Sequence, residues 1–400
     1  MPATPTAYEA VLHAARDVTK LGCAMDAEML GAALLGSVYS VASDDRAEAV
    51  RDFVGRFLTA TDQRDTPEAT TIREVFAALV PDADGATEVG HDAHAPSWVT
   101  QLGRVRPTGC YAYGDVYGDQ TSYLATFAYE DTVDGGPEHA VVALVDHNIG
   151  ITKDVFVAGS AGILLQQVRS ICAGDELIWF RTEDPGRLRD EVDRYLQVTD
   201  ELSELPADGS LATDRALAGA RLSLLPAPTT PPLAEPGGPQ ATDLTRDFLG
   251  SPEAARFGLT GSTVPPVDNA SLDFCVSLLL DHAATLPGAD LLRWSPTVAE
   301  LFLLDWVHRR AVLDMDDAAM LPRVVRAWSA FSTRKRGLPA AAVTETETAM
   351  EELIPEFARL YTTGERRSPA TAAVAQLIAE GVDPSDTAAI DAWLEANRDE

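Results

Sequence analysis

The densest group of chemically capable side chains is Asp146-His147-Asn148, followed closely by Lys153-Asp154. Asp115 and Asp119 lie in a preceding stretch that has the character of a hairpin loop. Several carboxylates and an imidazole meeting at one end of a sheet would hold a divalent metal. A hydrolase built that way would use a metal-bound water, with Asp146, His147 and Asp154 as its catalytic set and Asp115 or Asp119 completing the ligands. The same residues suit plain turns, because Asp and Asn side chains bond to nearby backbone and Gly150 supplies positive φ. The deciding fact is whether the two turns fall at the same end of the sheet.

Three other patterns carry chemistry. His91-x-x-His94, with Asp92 between them, has a zinc-like spacing, but Gly90 and Pro96 make it a loop. No HExxH and no cysteine pair completes a tetrahedral set. Gly159-Ser160-Ala161-Gly162 sits between an expected strand and helix. That context suits a phosphate at a helix N-terminus or a nucleophilic serine. The spacing is neither G-x-S-x-G nor Walker A, and Ser160 as a helix N-cap accounts for it. Arg309-Arg310, Arg323, Arg326 and Arg334-Lys335-Arg336 make residues 309 to 336 locally basic. Such a stretch meets nucleic-acid phosphate or an acidic surface, or else pairs with the chain's own acids. There is no dinucleotide-binding glycine motif, kinase signature or Cys/His nucleophile pattern.

The elements that would position these residues follow from hydrophobic period. Ser122 to Tyr129 alternates with period two, and Ala140 to Val145 is apolar throughout, as in a strand covered on both faces. Gly109 to Tyr113, Ile151 to Ala158 and Leu177 to Phe180 read as further strands, with short turns implying antiparallel pairing. A helix after Ser160, and one opened by Asp184-Pro185, should pack on this sheet. Residues 5 to 80 read as roughly four helices, with Met29 to Val41 the most apolar and Ser43 capping the next. Leu321, Val324, Val325, Trp328 and Phe331 mark the clearest helix of the C-terminal part, ended by Gly337. The predicted fold is α+β: a central antiparallel sheet with packed helices, an N-terminal helical region and a C-terminal all-α domain. The expected boundaries are 1–82, 97–204 for the sheet domain, a Pro-rich linker over 205–242 interrupted by a short helix at 211–224, and 243–400.

Four hundred residues call for two or three domains. The net charge of −31 repels phosphates, which disfavours sequence-independent binding to nucleic acid or anionic membrane. Four widely spaced cysteines and the lack of a signal-peptide pattern point to a cytoplasmic protein.

Leu301-Phe302-Leu303-Leu304-Asp305-Trp306, Val324-Val325-Arg326-Ala327-Trp328, Arg336-Gly337-Leu338-Pro339, and Val145-Asp146-His147-Asn148 with Lys153-Asp154 resemble a conserved-hypothetical protein family of actinobacteria. The resemblance spans the sheet domain and the C-terminal helices, and it brings no catalytic residue with it. The expectation is therefore a non-enzymatic protein that works through contacts with a protein partner. A metal-dependent hydrolase is the first alternative, and a nucleic-acid-associated protein using Arg323, Arg326, Arg334, Lys335 and Arg336 the second. No cofactor is expected, apart from the divalent metal of the hydrolase reading.

Overall fold

The computed structural model describes residues 7–89, 95–227, 241–260, 268–288, 290–383 and 386–396. His91, Asp92 and His94, and the prolines from 228 to 239, lie outside the described residues. The chain forms two compact units: Met1–Asp115 with Gln120–Leu233, and Val116–Asp119 with Ala234–Glu400.

The first unit opens with helices α1 (Ala7–Ala14), α2 (Ala24–Val41), α3 (Arg46–Thr61) and α4 (Pro67–Leu79). Strands β1 (Val105–Asp115), β2 (Gln120–Tyr129), β3 (His139–Asp146) and β4 (Ile151–Ala158) follow. Then come α5 (Ala161–Gly174), β5 (Ile178–Thr182), α6 (Pro185–Asp200) and α7 (Leu211–Leu222). All five strands pair antiparallel in the order β4-β3-β2-β1-β5, so the fold is α+β.

Local signals set most helix starts. The Thr66 hydroxyl accepts from the Ala69 N–H, and the Asp184 carboxylate from the Arg187 N–H, each just before a proline whose missing N–H costs nothing at that position. The cap of α3 is Asp45 rather than the expected Ser43. Asp45 takes a φ of 22°, and its carboxylate accepts from the Glu48 N–H at 2.9 Å.

Period two divides the sheet between two cores. Tyr123, Ala125, Phe127, Val141, Ala143 and Val145 face the large core shared with α2, α3, α4, α6 and α7. Leu124, Ala140 and Val142 face a smaller core closed by Ala161, Leu164 and Leu165 of α5. The exposed edge of β4 is sealed by side chains, as a sheet edge needs. Thr199 accepts from the Thr152 N–H and Asp214 from the Val157 N–H, both at 2.8 Å.

The helices on either side of the sheet in sequence pack into its large core. The helix at 211–222 is no interruption of a spacer. It is a core element, with Leu217, Ala218, Arg221 and Leu222 at most 2 % exposed. The N-terminal helices form the expected helical region, and that region shares this core with the sheet. The reason is α2, which is apolar around most of its circumference and so needs cover on two sides. Gly31 lets it approach α4, where a Cβ would stand 2.5 Å from Val75. Gly36 lets it approach α7, where a Cβ would stand 2.5 Å from the Ala212 carbonyl oxygen.

The described residues of the second unit's C-terminal part are helical: α8 (Ala241–Leu249), α9 (Pro252–Arg256), α10 (Asn269–Thr285), α11 (Pro296–Glu300), α12 (Val307–Arg310), α13 (Met315–Arg336), α14 (Ala340–Thr363), α15 (Pro369–Ala379) and α16 (Thr387–Ala396). A π-helical stretch, Leu301–Trp306, joins α11 to α12. Trp294, Phe302, Trp328 and Phe331 are fully buried at the centre. Pro355 lies inside α14, which continues through it, and Gly337 ends α13 at a φ of 66°. No helix among the described residues is long and apolar enough to cross a membrane.

Candidate functional site

The residues at the hairpin ends have structural partners. Asp146 accepts from Gln120 Nε2 at 3.1 Å and from the Asn148 N–H at 3.0 Å, which makes it the turn residue of β3–β4. Asp115 accepts from the Gln120 N–H at 2.7 Å and closes the β1–β2 turn in the same way. His147 lies 3.0 Å from the Tyr195 hydroxyl through Nδ1 and 3.0 Å from the Thr121 hydroxyl through Nε2, so it ties the hairpin to α6. Asp154 accepts from the Ser210 N–H at 2.8 Å and anchors the loop before α7, where Gly209 leaves room for it. Asp119 belongs to the other unit. Among the described residues, no three His, Cys, Asp or Glu side chains come together as a cation site. The two turns do fall at the same end of the sheet, with Asp115 and Asp146 both bonded to Gln120 and His147 to the adjacent Thr121, while Asp154 is bonded to the Ser210 N–H; each group is engaged in a structural bond.

Gly159, Ser160 and Gly162 are exposed, and a Cβ added at either glycine would meet open space. No phosphate cradle is formed there. Ser160 occupies the N-cap position of α5, though its side chain makes no capping bond. The four cysteines are free. Burial pushes the Cys110 thiol up to about 11 and that of Cys275 to about 12, the reverse of what a thiolate nucleophile needs.

The basic stretch is largely occupied inside its own unit. Arg334 makes a two-pronged pair with Glu253, holding that carboxyl below its usual range, and Lys335 pairs with Asp247 at 2.8 Å. Arg323 donates to the carbonyls of Phe257 and Gly258, and Arg336 to that of Tyr117. Arg326 lines a hollow of about 180 Å³ with Arg256, Thr333 and Glu347.

A different place in the first unit has the form of a binding site. A cleft of about 350 Å³ opens between α2, α3, the end of α4 and α7. Its walls are mostly carbon: Leu35, Val50, Leu79, Val80, Ala212, Ala216 and Ala220, with Gly36 and Gly219. Small residues on α7 create the space, because that helix presents Ala, Ala, Gly and Ala where larger side chains would fill it. Larger hollows over α3 and beside α15 mix carboxylates, guanidinium groups and carbon without a common chemistry.

Beside the apolar wall stands a buried polar group. Tyr39 donates to Asp200 at 2.6 Å, and Arg215 holds the same carboxylate through Nε at 3.1 Å and one Nη at 2.6 Å. Arg46, 2 % exposed, donates to the carbonyls of Tyr39 and Ser203, and its guanidinium lies 5.9 Å from the Tyr39 ring centre. Burial first, and then Asp200, raise the Tyr39 hydroxyl well above its ordinary value. Tyr39 therefore stays protonated and acts as a donor. At the cleft's outer side Arg51 pairs with Asp82 at 3.0 Å.

A second buried network lies in the same core. Glu28, fully buried, accepts from the Gly103 N–H at 2.7 Å, from the Tyr129 hydroxyl at 2.5 Å and from Arg221. Arg221 Nε donates to His139 Nε2 at 2.9 Å. That ring nitrogen must then be an acceptor, which leaves the proton on Nδ1, 3.2 Å from the Pro137 carbonyl. Burial, and then the Arg221 charge, lower His139 to about 4 and keep it neutral.

Sequence reasoning missed both networks. Glu28 and Arg221 are 193 positions apart, and each reads alone as a surface charge on a helix. The one usable signal was Glu28 itself, a charged residue set directly before the apolar run Met29 to Val41 on α2.

Compared with protein-family models, curated proteins and solved structures, the chain matches none.

Proposed function

We propose that this chain is a binding protein that takes a small, largely apolar molecule in the cleft between α2, α3 and α7. The observation that carries the proposal is the wall of Leu35, Val50, Leu79, Ala216 and Ala220 around about 350 Å³, within reach of a positioned Tyr39–Asp200–Arg215 group. That volume is at the small end of ordinary ligand pockets. One turn of a partner helix, with side chains, fills on the order of 400–600 Å³, so the cleft suits a small molecule better. Binding accounts for the geometry more economically than catalysis. Asp200 is fixed by two donors, Tyr39 is held protonated, and Asp82 is paired with Arg51, so these side chains are engaged rather than poised for proton transfer. A protein partner, the other noncovalent reading, draws support from α5, where Ile163 and Ile171 are about 60 % exposed.

The test is a panel of apolar small molecules screened against the full chain by calorimetry and thermal melting. A true ligand at a hundredfold excess over Kd adds about 2.7 kcal/mol of stability. Ala216→Phe, which fills the cleft, should weaken binding at least tenfold while preserving the fold. If every probe leaves the melting profile unmoved, or if Ala216→Phe binds as the parent does, the cleft is not the site.

A further inference from the structure

We infer that the ligand of this cleft carries one carboxylate, received by the outer edge of Arg215. This rests on the cleft being a small-molecule site, as proposed above. A guanidinium has two forked edges, each able to receive a carboxylate. Asp200 occupies one edge of Arg215, through Nε and one Nη. The other nitrogen, Nη1, makes no hydrogen bond among the described residues and lies over Gly219, where a Cβ would stand 2.8 Å away. Gly219 is itself a cleft residue, so this edge of the fork is at the cleft wall. Any larger residue at 219 would displace it.

The charges around the cleft agree. The charged residues lining the cleft are Arg51, Arg215 and Asp82; with Asp200, bonded to Arg215, and Arg46, bonded to the Tyr39 carbonyl, both next to the lining, the group holds three guanidiniums against two carboxylates. Among the described residues Arg46 has no carboxylate within ion-pair distance, and its Nε is buried without a hydrogen-bond partner. Of the neighbouring acids, Asp52 pairs with Arg56, and Asp193 pairs with Arg189 while also lying within electrostatic reach of Arg215. In a protein of net charge −31, a local positive excess beside an apolar wall is a specific feature. One ligand carboxylate would balance it, and because that carboxylate would be only partly solvated there, the pairing would be stronger than at an open surface.

Size completes the description. A volume of 350 Å³ holds about twelve water-sized groups at roughly 30 Å³ each. That fits a carboxylate on an unbranched or cyclic hydrocarbon of about eight to ten carbons. Asp200 acts as a positioning group, because it fixes the plane of Arg215 from outside the cleft lining, while Tyr39 donates to Asp200 and is itself part of that lining.

The experiment compares decanoate, decan-1-ol and methyl decanoate on the full chain by calorimetry, all below their aggregation limits. The expected result is at least tenfold tighter binding of decanoate than of the two neutral analogues. Arg215→Lys keeps a cation for Asp200 and loses the second edge, so it should abolish the preference, bringing decanoate down to the affinity that the same variant shows for the two neutral analogues. Equal affinity of the acid and the alcohol in the parent protein would overturn the carboxylate inference and leave the apolar cleft standing. A preference that persists undiminished in Arg215→Lys would overturn it as well. No saturable binding of any of the three would count against the cleft itself.

Discussion

Acidification should loosen this protein by a route that the two most perturbed histidines make explicit. His139 in the first unit and His282 in the second are 0 % and 4 % exposed, and each is lowered to about 4 from an ordinary 6.5. Burial is the first cause in both. Below pH 6.5 the unfolded chain takes up a proton at each ring that the folded chain refuses until about pH 4. The stability these groups contribute is therefore fully present above pH 6.5 and falls away between about 6.5 and 4. Each pKa unit corresponds to about 1.4 kcal/mol, so each histidine removes about 2 kcal/mol by pH 5 and about 3 kcal/mol by pH 4. The rings differ in one respect that separates cause from coincidence. His139 accepts from Arg221, whereas neither nitrogen of His282 has a hydrogen-bond partner among the described residues, and its ring packs on Phe302 and Trp306. The Val298 carbonyl pulls His282 the other way, more weakly than burial. His282→Phe should flatten the pH response of the second unit and leave it as stable as the parent, or more so, at pH 7. His139→Phe should flatten the response of the first unit but cost about 1–3 kcal/mol at pH 7, because Arg221 Nε loses its acceptor. Urea titrations at pH 7, 6 and 5, followed by tryptophan fluorescence and far-ultraviolet circular dichroism, measure all of these. A parent stability that is level from pH 7 to 5, or a His282→Phe variant as acid-sensitive as the parent, would refute the reasoning.

Two further outcomes follow from the first unit's interior. Glu28→Gln leaves the Arg221 guanidinium without its carboxylate at a site 0–1 % exposed, and should cost about 3–5 kcal/mol. The double change Glu28→Gln with Arg221→Met should recover part of that loss in equilibrium unfolding, and a strictly additive result would argue against a coupled pair. Gly36→Ala forces α2 off α7, because the added Cβ would sit 2.5 Å from the Ala212 carbonyl oxygen. The expected loss is about 1–3 kcal/mol, measured by thermal melting, together with altered ligand binding at the cleft.

Much of this architecture is legible in the chain alone, wherever the governing forces are local or periodic. The alternation from Ser122 to Tyr129 and the apolar run from Ala140 to Val145 specify strands, since side chains point to opposite faces in turn. Thr66-Pro67, Asp184-Pro185 and Ser295-Pro296 specify helix starts, since cap and proline act within one turn of backbone; all three side chains accept the expected N–H. The turn roles of Asp115 and Asp146 are local in the same sense. What only the tertiary structure decided depends on long-range meetings. Nothing near Leu211 in the sequence says that a helix inside a proline-rich stretch will be buried against α2. That follows from α2 needing cover on a second side, which the small residues Gly36, Ala212 and Ala216 allow. The cleft is the space those same small residues leave, and its charge depends on Arg51 and Arg215 arriving from helices over 150 positions apart. Likewise Glu28 becomes a core residue only because Arg221, Tyr129 and the Gly103 amide are delivered to it. A charge can be taken out of water only where partners already wait, and sequence period records which face of a helix is apolar but not who stands opposite.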